Sequence, residues 1–212
     1  MQLELIPAIL VKTREDLVER IELVKKYVKT VQIDIMDNEF VPNKTIGLES
    51  LRDLPKGVQY EFHWMVHNPE FWIKQIKGNH LHIVHIEAEM NWENVKLVVR
   101  ENGGRLGIAL NPETSVNYIF PYEKDVKYVL AMTVRPGFDG QSYIKEVEKK
   151  IEKIKLRYPE FDIEVDGGIN IETIGGAVKA GANKLVAASA IFSKPDIGKA
   201  ITELKKAAEA SS

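Results

Sequence analysis

Short apolar runs recur eight times along this chain, and amphipathic stretches fill the intervals between them. The runs cover residues 3–10, 30–35, 58–66, 81–86, 105–110, 126–134, 161–165 and 183–188. Their length and β-branched content read as buried strands. The intervals carry the helical period instead. In residues 13–28, Leu17, Val18, Ile21, Val24 and Val28 fall on one helix face, and Thr13 stands where an N-cap would. Residues 142–157 repeat the pattern with Ile144, Val147, Ile151 and Ile154 among lysines and glutamates. Asn91 and Asn170 precede helical stretches as caps, Gly181 suits a helix stop, and Pro195 suits the first turn of the last helix. Eight strand signals alternating with helices in 212 residues predict an α/β fold, a single (β/α)8 TIM barrel spanning residues 1–212. A doubly wound open sheet is the rival. It needs fewer strands, and no G-x-G-x-x-G follows the first one.

Composition removes several functional classes. Net charge is −2, so no basic surplus points to nucleic acid or an anionic membrane. The absence of cysteine excludes disulfides, thiolate nucleophiles and cysteine-ligated zinc or iron–sulfur sites. No apolar run approaches the ~20 residues of a membrane helix, and the first residues do not read as a signal peptide. The expected location is the cytoplasm.

In such a barrel, chemistry gathers at the carboxyl ends of the strands. The second strand ends Val31-Gln32-Ile33-Asp34-Ile35-Met36-Asp37, and period two puts Gln32, Asp34 and Met36 on one side. The third ends Phe62-His63-Trp64-Met65, the fourth His85-Ile86-Glu87, the seventh Val165-Asp166-Gly167-Gly168, and the eighth Ala187-Ala188-Ser189. Either aspartate alone reads equally well as a cap on a helix or turn. Together, on strands two and seven, Asp34 and Asp166 can flank a substrate carbon, as a two-base proton transfer requires. His63 and Gln32 can complete a metal set with them, and nitrogen plus carboxylate oxygen suits zinc, manganese, iron or cobalt. His85 and Glu87 face inward by alternation, in a supporting role behind the site. His67, His80 and His82 read as surface or loop residues. A second group is rich in glycine. Gly137, Gly140 and Gln141 follow strand six, Gly167 and Gly168 follow strand seven, and Ala188 and Ser189 end strand eight. Exposed backbone N–H groups in these loops suit a phosphate.

Over nearly its whole length the chain resembles the ribulose-phosphate 3-epimerase family. The resemblance rests on Ile33-Asp34-Ile35-Met36-Asp37 with Phe40-Val41-Pro42-Asn43, His63 with Met65-Val66, His85-Ile86-Glu87-Ala88, and Ala109-Leu110-Asn111-Pro112-Glu113-Thr114. It continues through Met132-Thr133-Val134, Pro136-Gly137-Phe138, Val165-Asp166-Gly167-Gly168-Ile169-Asn170 and Ser189-Ala190-Ile191-Phe192. It implies interconversion of D-ribulose 5-phosphate and D-xylulose 5-phosphate. Asp34 and Asp166 would be the acid/base pair and metal ligands, with His63 a third ligand to one divalent ion (Mn, Zn, Fe, Co or Mg). Met36, Met65 and Met132 match methionines that line the family's site, although their spacing suits core filler equally. The partners implied are a small sugar phosphate and further copies of the same chain. Related decarboxylase and synthase barrels carry Asp-x-Lys-x-x-Asp, which this sequence lacks.

The departures from the family pattern concentrate at the site. Ala8 stands where the family has a serine that contacts substrate, and Gln32 where it has a metal-binding histidine. Amide oxygen is the harder ligand, so manganese or magnesium would suffer less than zinc. Asn38-Glu39 replace Gly-His, Arg135 and Asp139 replace an asparagine and a glycine, and Ala188 replaces a glycine. Asp139 places negative charge near the expected phosphate, with Arg135 able to offset it. Two readings follow. One is an epimerase with an altered metal site. The other is a divergent member that has lost or changed the metal chemistry and acts on another ketose phosphate, or only binds a sugar phosphate.

Overall fold

The computed structural model describes residues 2–138 and 140–212. Among these, eight parallel strands close into a barrel in chain order: β1 (Glu4–Ile9), β2 (Thr30–Met36), β3 (Gln59–Met65), β4 (Leu81–His85), β5 (Arg105–Leu110), β6 (Tyr128–Met132), β7 (Asp162–Asp166) and β8 (Lys184–Ala187). β8 pairs back onto β1, with Leu5 opposite Leu185. The connecting helices are α1 (Arg14–Val24), α2 (Pro69–Ile73), α3 (Trp92–Glu101), α4 (Glu148–Arg157), α5 (Ile174–Ala180), α6 (Ser189–Phe192) and α7 (Ile197–Glu209). Two loops hold tighter 3-10 turns, at Leu48–Leu51 and Val116–Tyr122.

The helix boundaries follow from local hydrogen bonding. Thr13 caps α1 by accepting from the N–H of Asp16 at 3.1 Å, and Asn91 caps α3 by accepting from Asn94 at 3.1 Å. Gly181 ends α5 with φ at 115°, a conformation closed to most side chains. Other expectations need correction. α1 stops at Val24, and Val28 reaches the core from the following turn. Asn170 caps a turn ahead of α5, accepting from Glu172 at 2.8 Å and Thr173 at 3.2 Å. Pro195 lies before the last helix rather than in its first turn. The Asp196 carboxylate sets the start there, accepting from Lys199 at 2.9 Å. The stretch 142–157 is a 3-10 turn, Lys145–Val147, leading into α4.

Alternation along the strands sorts side chains into two environments. Outward residues such as Ile33, Ile35, Phe62 and Trp64 pack against Leu17, Ile21 and Val24 of α1 and their equivalents around the ring. His82 belongs to this outer layer, not to a loop. It is fully buried, its ring stacks on Phe62 and Trp64, and its Nδ1 accepts from Trp64 Nε1 at 3.2 Å. Burial pulls its pKa down to about 3, so it packs as a neutral aromatic ring.

The inward face is unusually polar. Gln32, Asp34, Glu61, His63 and Glu164 are all buried, beside apolar groups formed by Ile83, Leu130 and Met132 and by Ile6, Ala8 and Val186. Toward the amino ends of the strands, the Tyr128 hydroxyl donates to Glu164, and Glu61 Oε2 lies 3.5 Å from the same hydroxyl. Burial pushes the Glu61 carboxyl up to about 8, and burial with Glu61 alongside holds Glu164 well above the ordinary carboxylate range. Glu61 is therefore protonated in the folded chain at neutral pH but ionised in the unfolded one, and its stabilising contribution is full below about pH 4.5 and is lost as pH rises toward 8. Glu61→Gln, which mimics the protonated acid, is expected to gain thermal stability over the unsubstituted chain as pH is raised from 5 to 8. Melting curves across that range check this, and a pH-independent difference would contradict it.

Candidate active site

At the carboxyl ends of β2, β3 and β7 the register places three polar side chains together. Asp34 pairs with His63 across β2 and β3, and His63 Nδ1 lies 3.1 Å from Asp34 Oδ1. Asp166 reaches in from β7, its Oδ2 lying 3.4 Å from the same nitrogen. Gln32, one inward position below Asp34, donates through Nε2 to Asp34 Oδ1 at 2.9 Å and to Asp166 Oδ2 at 2.7 Å. Thr45 pins this end of β2, donating to the Asp34 carbonyl and accepting from the Met36 N–H, both at 2.9 Å. Asp37 shapes the loop beyond, accepting from Glu39, Phe40 and His67 backbone N–H groups.

Electrostatics follow from this crowding. Burial alone would depress His63, but the two carboxylates at Nδ1 overrule it and lift its pKa to about 9. Burial lifts Asp34 to about 6, against the opposing hydrogen bond from His63, with the Asp166 charge adding to the rise. One ligand atom from each of Asp34, His63 and Asp166 lies within 4.8 Å of the other two. Two carboxylates and an imidazole are donors that a divalent transition ion accepts. Gln32 faces these oxygens through Nε2, while its Oε1 is buried without a hydrogen-bond partner. The residues present therefore fit a divalent cation.

Behind His63 runs a directed chain of hydrogen bonds. His63 Nε2 lies 2.8 Å from His85 Nε2, and His85 Nδ1 lies 3.2 Å from Glu87 Oε2. Glu87 Oε1 accepts from the Asn111 N–H at 2.8 Å and the Thr114 hydroxyl at 2.5 Å. A carboxylate takes its proton from His85 Nδ1. His85 Nε2 must then accept, so His63 Nε2 donates. Burial pulls the His85 pKa down to about 4, which keeps it neutral and able to accept. The chain thus keeps a proton on His63 Nε2 and aims Nδ1 at the aspartates, so that Nδ1 donates to them while the ring is protonated and becomes the lone-pair nitrogen once that proton leaves. The supporting role expected of His85 and Glu87 agrees with this geometry. The parts played by Thr45, Asn111 and Thr114 were not expected. Asn111 and Thr114 lie in a family-like segment that carried no chemical assignment.

Above these residues opens a pocket at the mouth of the barrel. Ala8, Met36, Met65, Met132, Gly137, Gly140, Gln141, Gly167, Gly168, Ala188 and Ser189 all line it, as do Leu10, Val134 and Ile169, to which the sequence assigned no role. The loop glycines differ in necessity. Gly168 has φ at 66°, and a Cβ there would meet the Tyr143 backbone nitrogen at 2.6 Å. Ala188 has φ at −112°, outside the left-handed region that calls for glycine. Gln141 spends its amide inside the loop, donating to the Arg135 and Phe138 carbonyls at 2.6 and 2.9 Å. The Arg135 guanidinium pairs with Glu113 at 2.5 Å. Asp139 itself lies outside the described residues.

The model of the ribulose-phosphate 3 epimerase family matches residues 4–192. The chain belongs to that family. It is 39% identical over 189 residues to the cytoplasmic isoform of ribulose-phosphate 3-epimerase of rice (Oryza sativa subsp. japonica), covering 85% of this chain and 83% of the relative. It is 40% identical to the ribulose-phosphate 3-epimerase of Bacillus subtilis, covering 82% and 85%, and 41% identical to that of Methanocaldococcus jannaschii, covering 83% and 78%. The enzyme is accordingly a carbohydrate epimerase of the isomerase class. Solved structures share the fold at low identity. A 3-hexulose-6-phosphate synthase from Salmonella typhimurium superposes with TM-score 0.73 at 13% identity over 99% of this chain and 100% of that one. KGPDC from Streptococcus mutans does so with TM-score 0.72 at 13% identity, over 99% of each. Gly168→Ala is expected to destabilise the epimerase by about 1–3 kcal/mol, the scale of a forced left-handed residue. Urea denaturation checks it, and an unchanged midpoint would show that the loop relaxes freely.

Proposed function

We propose that the chain interconverts D-ribulose 5-phosphate and D-xylulose 5-phosphate by metal-assisted proton transfer at C3, with Asp34 and Asp166 as the two acid/base groups. The observation that carries this reading is the convergence of two carboxylates and an imidazole beneath one cavity, in a chain of this family. One aspartate accepts the C3 proton from one side of the carbon, and the other delivers a proton to the opposite side. In the reverse reaction they exchange roles. An acid raised toward 6, as Asp34 is, sits nearer the operating range of a general base than an ordinary carboxylate does. A divalent cation held by Asp34, His63 and Asp166 would supply Lewis-acid stabilisation of the negative charge that gathers on the substrate oxygens as the proton leaves. Met36, Met65 and Met132 form an apolar wall that keeps water from reprotonating the carbanion indiscriminately. Backbone N–H groups around Gly167, Gly168, Ala188 and Ser189 take the phosphate, and Gly137 and Gly140 shape the facing loop.

The test is conversion of D-ribulose 5-phosphate in D2O by metal-stripped protein resupplied separately with Mn2+, Zn2+, Co2+, Fe2+ or Mg2+. Metal-dependent product carrying deuterium at C3 is expected. Asp166→Asn should lower the rate by about 10²–10⁴-fold, the usual weight of one acid/base group. Loss of epimerisation with retained deuterium exchange would mean that a single base suffices for proton removal. Neither signal with any cation would overturn the substrate assignment.

A further inference from the structure

Gln32 is in a position that demands two opposite things of one side chain. Its Nε2 donates to Asp34 Oδ1 and Asp166 Oδ2, and these two oxygens, with His63 Nδ1, form the donor set for a cation. An amide nitrogen bears no free lone pair and cannot ligate a metal. Its N–H bonds also use carboxylate lone pairs that a cation would need. Meanwhile Oε1, the atom that could ligate, is turned into the protein and has no hydrogen-bond partner. The side chain is fully buried, so that oxygen is shielded from bulk solvent.

We infer that the Gln32 carboxamide is a two-position latch. Without a cation, its NH2 group ties the two aspartates together. When a hard divalent cation enters, the amide turns about its terminal torsion and presents Oε1 as a fourth ligand. This inference rests on the metal-assisted reading above and specifies how this chain binds the ion.

Three physical points support it. The terminal torsion of glutamine is broad and two-fold, so exchanging Oε1 and Nε2 requires no backbone movement. Each position is consistent with only one charge state. Facing two carboxylates with no cation, only the donor end of the amide is tolerable, and that is the orientation observed. With a cation between them, only the oxygen end is. The neighbouring strand carries a candidate acceptor for the turned NH2. Glu61 pairs with Gln32 in the β2–β3 register, and its Oε1 is likewise buried and unpartnered. The ligand set is then three oxygens and one nitrogen, which favours Mn2+ or Mg2+ relative to a set with a second imidazole.

The side-chain amide resonances of Gln32 report the turn directly. In metal-stripped protein, 15N-labelled Gln32 should show NH2 protons shifted downfield by the carboxylates. Titration with diamagnetic Mg2+ or Zn2+ should move them upfield as those bonds break. Calorimetry with Mn2+ and Zn2+ gives a second reading. Gln32→Leu removes both latch and ligand and should weaken Mn2+ binding by at least about ten-fold, the scale reached even by losses among groups that only support ligands. Gln32→His should raise the Zn2+:Mn2+ affinity ratio. Cation binding that is abolished by Asp166→Asn, yet leaves the Gln32 resonances unmoved and the Gln32→Leu affinity unchanged, would overturn the latch while leaving the metal-assisted reading intact. Failure of the unsubstituted protein to bind any cation would overturn both. The resonance experiment needs no variant, so it stands even if Gln32→Leu does not fold.

Discussion

Two carboxylates held within reach of one imidazole, at the largely buried floor of a pocket, set the terms for the rest of this molecule. Asp34 and Asp166 come from strands that are not neighbours in the sheet, and bringing them together requires the barrel to close. Their mutual repulsion must then be offset by donors from the protein. His63 and Gln32 supply these, and both have their backbones fixed in the β1–β3 register. The line from His63 through His85 and Glu87 extends the same requirement outward, until it ends on backbone and hydroxyl donors of the loop after β5. Lys150 of α4 then holds that loop by donating to the Asn111 and Pro112 carbonyls at 2.6 and 2.8 Å. A helix on the outside of the barrel is thereby tied to the orientation of an imidazole inside it.

Much of this was legible in the sequence because it is periodic. Period two at the end of the second run put Gln32, Asp34 and Met36 on one side, the end of the third run offered His63, and strand–helix alternation predicted the barrel. What was not legible depends on packing between segments distant in sequence. His82 is polar by type, yet between Phe62 and Trp64 it behaves as one more aromatic ring. Thr45 and Thr114 are ordinary loop residues until the fold delivers them to the Asp34 carbonyl and the Glu87 carboxylate. The orientation of the Gln32 amide, and the disposition of Gln141 within its own loop, also emerge only from three-dimensional hydrogen-bond matching.

Substitutions relative to the family's usual pattern read differently once the geometry is known. Ala188 needs no glycine, because its backbone lies outside the left-handed region. Ala8 leaves an apolar patch beside Ile6 and Val186, in a wall already made apolar by the methionines. Gln32 is the departure with chemical consequences, because it replaces an aromatic donor with a group that can face either way.

The annulus between strands and helices holds most of the large apolar side chains, while the bore of the barrel holds buried acids, an amide and imidazoles. Folding and chemistry are therefore written in separate alphabets on opposite faces of the same strands. A residue of the bore can be exchanged without rewriting the annulus, since adjacent positions on a strand never face the same way. Evolution can edit such a site letter by letter, and the glutamine at position 32 is one such edit.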